Sequence, residues 1–330
     1  MRSPLLDTPG AVAADAPDSG VAGHYGDPFA EQRALLAGEA VVDRSNREVV
    51  KISGPDRLSW LNSLSSQKLD DLRPGEATET LLLDAQGRVE HHLALVDDGE
   101  AVWAHVEPGT SAGLVAFLDT MRFMLRVEVA DVTDAYAVVT ALPAAGGTRP
   151  DLPSGAVAVG DDVLLPRELL PARLGLGLAG LWAYEALRIE NHRPRLGFET
   201  DHKTIPHEVG WIGTALHLNK GCYKGQETVA RVHNLGHPPR RLVFLHLDGS
   251  ADRLPKHGAA VTDGEAEVGF VGSAARHHEL GPIALALVKR TVPVDAPLQA
   301  DGVAAGQEVV VPPDAGRNVQ IDPALRRRIR

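Results

Sequence analysis

The sequence predicts an α+β protein of more than one module, with an all-β module at its carboxyl-terminal end. The chain has 330 residues, of which 44% are hydrophobic, so it can bury more core than one small domain. Up to about residue 240, strand-like and helix-like hydrophobic patterns alternate. From Arg241 onward, runs such as "RLVFLHLDG" and "GPIALALVKR" are short, apolar and separated by glycine-rich turns, which is typical of a small β module.

We predict four segments along the chain. Residues 1–27 are rich in Ala, Asp, Pro and Gly without a sustained period, so we expect a disordered or loosely attached tail. Residues 28–240 form the α+β region, and residues 241–312 form the all-β module. Residues 313–330 end in "ALRRRIR" and are predicted to be a solvated basic tail, because the chain as a whole is acidic.

Local patterns predict the elements of the α+β region in order. The stretch "VVDRSNREVVKISGPDRLSWLNSL" predicts strand, turn, strand and helix, with Pro55 at the helix start. The stretch "ETLLLDAQGRVEHHLALV" predicts a β-hairpin that turns at residues 85–87. A helix capped by Thr110 or Ser111 and a further strand follow.

The second half of this region begins with a break in the pattern. Residues 142–155 are rich in Gly and Pro and are predicted to form a surface loop. The next segment, "GLWAYEALRIENHRPRLG", predicts a helix that stops before Pro194.

Charge and cysteine content narrow the class of protein. The net charge of -11, from 44 acidic and 33 basic residues, argues against nucleic acid as the partner and favours a small molecule or a protein. One cysteine cannot form an internal disulfide, and the first twenty residues lack the pattern of a secretory signal. No window approaches the ~18 apolar residues of a membrane span. We therefore expect a cytoplasmic protein without membrane contact.

The single cysteine lies in "LNKGCYKGQETVAR", residues 218–231. Lys220 and Lys224 flank Cys222, although the chain has few lysines, and nearby cations lower the pKa of a thiol from about 8.5. Two glycines allow positive φ or close approach to a ligand, and the neighbours add a ring, an amide and a carboxylate. The candidate catalytic residues of this loop are Cys222, Lys220 and Tyr223, and its candidate binding residues are Gly221, Gly225, Gln226 and Glu227.

Three other interpretations of the cysteine remain open. Cys222 could be a small buried hydrophobic residue, as many intracellular cysteines are. It could share a metal site with His217, His233 and His237, although a paired cysteine is missing. It could also be the nucleophile of a hydrolase or acyltransferase with one of the 14 histidines as base.

The segment "KGCYKGQE", residues 220–227, resembles the signature of the YgfZ family of folate-binding proteins. That family is related to the T-protein, or aminomethyltransferase, of the glycine cleavage system and to a mitochondrial iron-sulfur assembly factor. The resemblance continues through "GPDRLSWLNSLSSQKLDDL", "LLLDAQGR", "EALRIENHRPRLGFETDHKTIPHEVG" and "VGFVGSAARHHELGPIALALVKR". It covers most of residues 28–295.

The resemblance implies a T-protein-like architecture, in which α+β domains surround a central opening that holds tetrahydrofolate and a carboxyl-terminal β-barrel closes one side. It also implies a folate-binding accessory protein for iron-sulfur cluster assembly or repair, with Cys222 as its characteristic residue. The implied partners are folate and iron-sulfur client or assembly proteins, without a resident metal. A catalysed reaction is not specified by the resemblance.

The resemblance to T-proteins also implies folate-binding roles for individual residues of this chain. Glu190 in "LRIE" matches the carboxylate with which T-proteins hold the amino and ring N–H groups of the pterin, and such a pair is bidentate and charge-assisted. The alternative for Glu190 is an exposed helix glutamate. Trp103 and Glu107, in "VWAHVEPG", fall near a folate-lining strand of the T-protein.

One departure from the T-protein pattern concerns the predicted hairpin. T-proteins carry two adjacent aspartates there, and this chain has His91 and His92. A histidine with a pKa near 6.5 could move a proton but lacks the fixed negative charge of an aspartate. His92 is therefore a candidate catalytic residue of the alternative function, a folate-dependent aminomethyl or one-carbon transferase, and the other interpretation is a histidine that only packs in its strand.

Overall fold

Two packed five-stranded sheets and a closed β-barrel form the molecule, which is represented by a computed structural model that describes residues 1–144, 147 and 151–318. The first sheet contains, in spatial order, Val157–Val159 (β10), Asp162–Pro166 (β11), Tyr136–Thr140 (β9), Ala40–Asp43 (β3) and Gly177–Ala179 (β12). The second sheet contains Ala77–Leu83 (β5), Val89–Asp97 (β6), Ala101–Val106 (β7), Glu48–Ser53 (β4) and Glu128–Asp131 (β8). Neighbouring strands are antiparallel except β12 and β3, which are parallel.

Helices cover the outer faces of the two sheets. The α-helices are Pro28–Leu36 (α1), Arg57–Leu64 (α2), Ser111–Met121 (α3), Leu181–Glu190 (α4) and Gln226–Leu235 (α5). In the described part of the chain, three 3-10 helices span Pro4–Asp7, Arg167–Gly175 and Pro206–Val209. None of the helices among the described residues has both the length and the apolar character that crossing a membrane requires.

Burial of alternate strand residues holds the layers together. One face of the second sheet packs on α2 and α3 through residues such as Ile52, Trp60 and Leu114. Its other face meets the first sheet through Trp103, Val138 and their neighbours. Because apolar side chains leave water on both faces of the second sheet, its position is fixed from two sides.

The barrel confirms the predicted all-β module. Its strands are Arg240–Leu247 (β13), Ala260–Asp263 (β14), Ala266–His277 (β15), Gly281–Lys289 (β16), Leu298–Ala300 (β17) and Val303–Val309 (β18), closed in the order β13-β16-β15-β14-β17-β18. Closure leaves no unpaired strand edge. Apolar residues of β13 and β16 that point out of the barrel join a core with α4 and the segment around Trp211, so the barrel is packed onto the α+β region.

The predicted β-hairpin is present as β5 and β6, and the predicted helices are present as α2, α3 and α4. Gly87 has a φ of 76° at the hairpin turn, a backbone conformation that a glycine adopts at little cost. The predicted loop at 142–155 lies partly outside the described residues, as does most of the predicted basic tail.

The prediction of a disordered amino-terminal tail is wrong. The 3-10 helix Pro4–Asp7 and the paired strands Val12–Ala13 (β1) and Ala22–His24 (β2) lie in the first 27 residues. Leu5 and Val21 are buried in two apolar clusters. Composition missed this because the segment is ordered by contacts with distant parts of the chain.

Candidate functional site

A polar cavity of about 320 Å³ lies where the two sheets meet the segment that follows α4. We call it the central cavity. Its lining combines five arginines, three carboxylates and three histidines with two large rings. These residues are Arg44, Arg47, Arg188, Arg193, Arg195, Glu79, Glu107, Asp162, His92, His105, His192, Tyr184 and Trp211.

Glu107 directly follows β7 and joins two guanidinium groups in the cavity wall. Arg47 donates to its Oε1, and Arg195 Nε donates to its Oε2 at 2.8 Å. Burial alone would raise the pKa of Glu107, but the charges and hydrogen bonds of Arg47 and Arg195 outweigh burial and hold the pKa well below its usual value. Glu107 is therefore an ionised carboxylate at neutral pH.

His105 and Asp162 form a second buried group in the same wall. Arg47 Nε donates to His105 Nδ1 at 2.8 Å, and His105 Nε2 lies 2.9 Å from Asp162 Oδ2. Because Nδ1 accepts a hydrogen bond, the ring proton belongs on Nε2, next to the carboxylate. Burial and the charge of Arg47 lower the pKa of His105 to about 4, so His105 is neutral at pH 7.

His92 and Glu79 face each other from β6 and β5. His92 Nε2 lies 3.0 Å from Glu79 Oε2, and Arg193 Nη2 donates to Glu79 Oε1 at 3.0 Å. Burial acts to raise the pKa of Glu79, but His92 and Arg193 outweigh it and hold the pKa at about 2. The His92 ring stacks on Trp211 with centroids 4.8 Å apart. A carboxylate that fixes one ring nitrogen leaves the other, Nδ1, to exchange a proton with a ligand.

Cys222 is exposed, which argues against the interpretation of a buried hydrophobic residue. The loop, residues 218–231, does not line the central cavity. The predicted lysine support for a thiolate is not found. Lys220 Nζ donates to the carbonyls of Asn62, at 2.5 Å, and Ser65, and Lys224 Nζ lies 3.4 Å from Glu90 Oε2.

The contacts of Lys220 explain this difference. The helix α2 ends at Leu64, and its last carbonyls have no partner within the helix, so they attract a cation. Burial lowers the pKa of Lys220 to about 8. Lys220 thus acts as a cap that fixes the start of the cysteine loop on α2.

The other loop residues divide into structural and exposed positions. Tyr223, predicted as catalytic, is buried in the core between the α+β region and the barrel, and burial raises its pKa to about 12. Gly225 has a φ of 84° and packs on the β5–β6 turn. Gln226 Nε2 donates to the Lys220 carbonyl at 3.4 Å, while Gly221 and Glu227 are exposed.

Two predicted folate residues lie away from the central cavity. Glu190 Oε2 is 3.2 Å from His277 Nε2, at the contact between α4 and the barrel. The Trp103 ring is buried between the sheets, and its Nε1 donates to Asp98 at 2.7 Å. Glu107, which was transferred from the T-protein pattern, lines the cavity, and so does His92, which departs from that pattern.

The candidate metal ligands do not converge. His217 Nδ1 accepts from the Asn219 backbone N–H at 3.1 Å, and His237 Nδ1 lies 2.9 Å from the Ala315 carbonyl oxygen. Across residues 1–144, 147 and 151–318, no group of three or more His, Cys, Asp or Glu side chains could hold a metal ion.

Sequence reasoning missed most of the charged lining. Arg193 and Arg195 occur in the quoted segment "NHRPRLGFET", where the density of arginine was an available signal. Arg44, Arg47 and Asp162 are distant in sequence and had no local signal. They meet only because β3 and β11, on either side of β9 in the first sheet, pack against β4 and β7 of the second sheet.

Comparisons with known proteins agree with this architecture. The family model "Glycine cleavage T-protein C-terminal barrel domain" matches residues 240–326. The aminomethyltransferase of Saccharopolyspora erythraea is 28% identical over 340 residues, which cover 89% of this chain and 91% of that protein. The tRNA-modifying protein YgfZ of Edwardsiella ictaluri is 25% identical over 298 residues, 80% of this chain and 88% of that protein.

Two further comparisons concern extent and fold. A chloroplastic protein of Arabidopsis thaliana is 24% identical over 75% of this chain, and the match spans 65% of that protein's length. The solved structure of the glycine cleavage system aminomethyltransferase T from Bartonella henselae superposes with a TM-score of 0.76 at 17% identity, covering 96% of this chain and 98% of that one. The chain therefore has the T-protein fold with its carboxyl-terminal barrel, and it is related in sequence to aminomethyltransferases and to a YgfZ protein.

Proposed function

We propose that this chain is a tetrahydrofolate-binding accessory protein for iron-sulfur cluster assembly or repair. The central cavity would hold the folate, and Cys222 would act at the surface on a client or assembly protein. The exposed position of Cys222 carries the proposal, because a thiol must be accessible to reach a cluster or a thiol on another protein. A cytoplasmic setting, in which a lone thiol stays reduced, fits this role.

The central cavity suits the pterin end of a folate. Its volume of about 320 Å³ is at the lower end of the range for ligand pockets, so a pterin fits inside and the rest of the molecule would extend outward. The ionised carboxylates of Glu79 and Glu107 can accept the amino and N–H protons of the ring. Arg193 is 55% exposed and can meet the carboxylates of the folate tail. Bound tetrahydrofolate would supply a carrier for one-carbon units.

Cys222 would act as a transient ligand or thiol partner. Thiolates are the usual ligands of iron-sulfur clusters, but a stable cluster needs several of them. One cysteine would therefore share a cluster, a persulfide or a thiol with the partner protein. The attachments of Lys220 to α2 and of Gly225 to the hairpin would present the thiol in a fixed orientation.

The role of Cys222 is tested in cells that lack this protein. Iron-sulfur enzyme activity should be restored by the natural chain and not by Cys222→Ala, because the variant loses the thiol and keeps the fold. Glu227→Ala, a change at a nearby exposed position, is the matched control and should restore activity. Full restoration by Cys222→Ala would refute the proposed role of the thiol.

Folate binding is tested by calorimetric titration with tetrahydrofolate. Arg193→Gln should weaken binding by roughly tenfold, because one charge-assisted contact at the cavity is lost. Glu190→Ala should leave the affinity unchanged, since Glu190 pairs with His277 outside the cavity. Absence of binding to the natural chain would remove folate from the proposal.

A second candidate function is a folate-dependent one-carbon transferase, and the His92–Glu79 pair in the cavity favours it. An aminomethyl group on a carrier thiol would react with tetrahydrofolate to give methylene-tetrahydrofolate, ammonia and the free thiol. His92 would move protons from the folate nitrogens to the departing ammonia. Methylene-tetrahydrofolate formation that is lost in His92→Ala and kept in Cys222→Ala would favour this function over the first.

A further inference from the structure

A second cavity of about 630 Å³ lies between the amino-terminal segment, the first turns of α4 and the barrel strand β15. We call it the amino-terminal cleft. Among the residues that the structure describes, Arg195 is the one that lines both this cleft and the central cavity. Its walls are mostly apolar, with rings from Phe29, Trp182 and Phe198. This combination of apolar walls and a few polar groups is typical of a small-molecule site.

Trp182 gives the cleft an available aromatic surface. The side chain is 42% exposed, whereas the other three tryptophans are at most 6% exposed. Its ring packs against His24, with centroids 4.8 Å apart, and against the backbone of Gly23. An exposed indole that is supported in this way is positioned to stack on a planar ligand.

The floor of the cleft offers an acceptor next to a donor. Glu185 Oε2 accepts from Arg188 Nη2 at 2.6 Å. Glu185 Oε1 is buried and makes no hydrogen bond in the described part of the chain, although it lies 3.5 Å from Arg195 Nη1 in a long ion pair. Ser273 Oγ accepts from the same Nη2 at 2.5 Å. Its own proton meets no acceptor among the described residues. Because both side chains contact one nitrogen, Glu185 and Ser273 are close neighbours.

The acceptor and donor at the floor of the cleft match one edge of an amino-substituted nitrogen heterocycle. A buried carboxylate oxygen that has a long ion pair but no hydrogen bond is incompletely satisfied, and a ligand N–H would supply the missing hydrogen bond. The Ser273 hydroxyl can donate at the same time to a ring nitrogen. An amino group next to a ring nitrogen, as in purines and pteridines, presents this donor and acceptor side by side.

The rim adds a charge preference. Lys256 is exposed on the barrel side of the cleft, and its ammonium group has no ion pair or hydrogen bond among the described residues. Asp15 lies on the opposite, amino-terminal side. An anionic substituent of the ligand would therefore be directed toward Lys256.

We propose that the amino-terminal cleft binds an amino-substituted nitrogen heterocycle that carries an anionic chain. The ring stacks on Trp182, its amino group donates to Glu185 Oε1, its ring nitrogen accepts from Ser273, and the anion lies near Lys256. Purine nucleotides and folates share this chemistry. The site is distinct from the central cavity, so it goes beyond the proposed function.

The test uses two probes, adenosine 5'-monophosphate and 5-formyltetrahydrofolate, titrated into the full chain by calorimetry and by quenching of indole fluorescence. Trp182→Ala should weaken binding of the occupant at least roughly tenfold, because one stacking partner is lost. Trp182→Phe should restore most of it, and Ser273→Ala should weaken binding without loss of the fold. Arg193→Gln, which changes the central cavity, should not change the affinity for adenosine 5'-monophosphate.

The two probes separate the possible sources of the ligand. Nucleotide binding that depends on Trp182 assigns the cleft to nucleotides. Folate binding that depends on Trp182 and not on Arg193 assigns it to folate. The inference is overturned if neither probe binds, or if Trp182→Ala leaves both affinities unchanged. The folate proposal fails separately, when no folate binds anywhere, and nucleotide binding would survive that result.

Discussion

At the scale of single residues, the two glycines of the cysteine loop have different roles. Gly225 has a φ of 84°, and a Cβ built there would lie 2.5 Å from the Asp84 carbonyl oxygen and 2.9 Å from Gly87 Cα. Gly221 has open space around it and a φ outside the left-handed region. Sequence alone gave both glycines the same potential role. The structure assigns the close approach to Gly225, which fixes the loop to the hairpin.

Gly225→Ala should therefore destabilise the protein, while Gly221→Ala should not. The positive φ costs an alanine about 1 kcal/mol, and the contact with a backbone oxygen adds to that cost because the backbone has to move. The free energy of unfolding in urea would show a loss above ~1 kcal/mol for Gly225→Ala and a change within about 0.5 kcal/mol for Gly221→Ala. Equal effects would contradict the assigned packing of Gly225.

At the scale of elements, the amino-terminal segment differs most from its prediction. Asp18 follows β1 and accepts two hydrogen bonds from Arg195, both at 2.8 Å, in a buried ion pair. Its Oδ1 also accepts from Asn46 Nδ2 at 2.6 Å. Asp18 and Arg195 are 177 positions apart in the sequence, so no local sequence pattern predicts their ion pair. The segment also forms one side of the amino-terminal cleft.

Asp18→Asn should cost about 2–3 kcal/mol of stability. Removing one partner of a buried ion pair leaves an uncompensated charge, although Arg195 keeps its bond to Glu107 and so part of the loss is avoided. The exposed pair of Asp7 and Arg2 in the same segment provides the matched control, and Asp7→Asn should have no measurable effect. Chemical denaturation of both variants checks this. Comparable losses would contradict a structural role for the buried pair.

The elements that were predicted correctly are those with local signals. The β5–β6 hairpin has a glycine turn between alternating strands, and α4 has a helical period and stops before Pro194. The placement of Glu190 depended instead on the direction of one side chain at the end of α4, where His277 of the barrel captures the carboxylate. Periodicity places a residue on an element but does not show which distant residue it meets.

At the scale of the whole molecule, one buried network joins parts that are far apart in sequence. Contacts among Asp162, His105 and Arg47 link the two sheets. Glu107 binds both Arg47 and Arg195, and Arg195 in turn binds Asp18 of the amino-terminal segment. The resemblance predicts a central opening that holds folate, with Glu107 near a folate-lining strand. It did not predict that the wall would be a set of mutually paired charges, since that depends on the packing of both sheets.

This network predicts how stability changes in acid. His105 has a pKa of about 4 in the folded protein and about 6.5 when unfolded, because burial and Arg47 disfavour its charged form. Between these values the unfolded chain binds a proton that the folded chain does not, so the free energy of unfolding falls as the pH falls from about 6.5 to about 4. His207, also buried with a pKa of about 4, acts in the same direction. The carboxylates of Glu107 and Asp162 have lowered pKa values, so their protonation reduces the free energy of unfolding only below about pH 4.5.

Urea unfolding at a series of pH values between 7.5 and 4 would measure this effect. Relative to the natural chain, His105→Gln should be less stable at pH 7.5, because the Asp162 and Arg47 contacts are weakened, but it should lose less stability on acidification, by up to about 3 kcal/mol at pH 4. His246→Gln changes an exposed barrel histidine and should follow the natural curve. Parallel curves for His105→Gln and the natural chain would show that His105 is not the buried neutral group at the centre of the network.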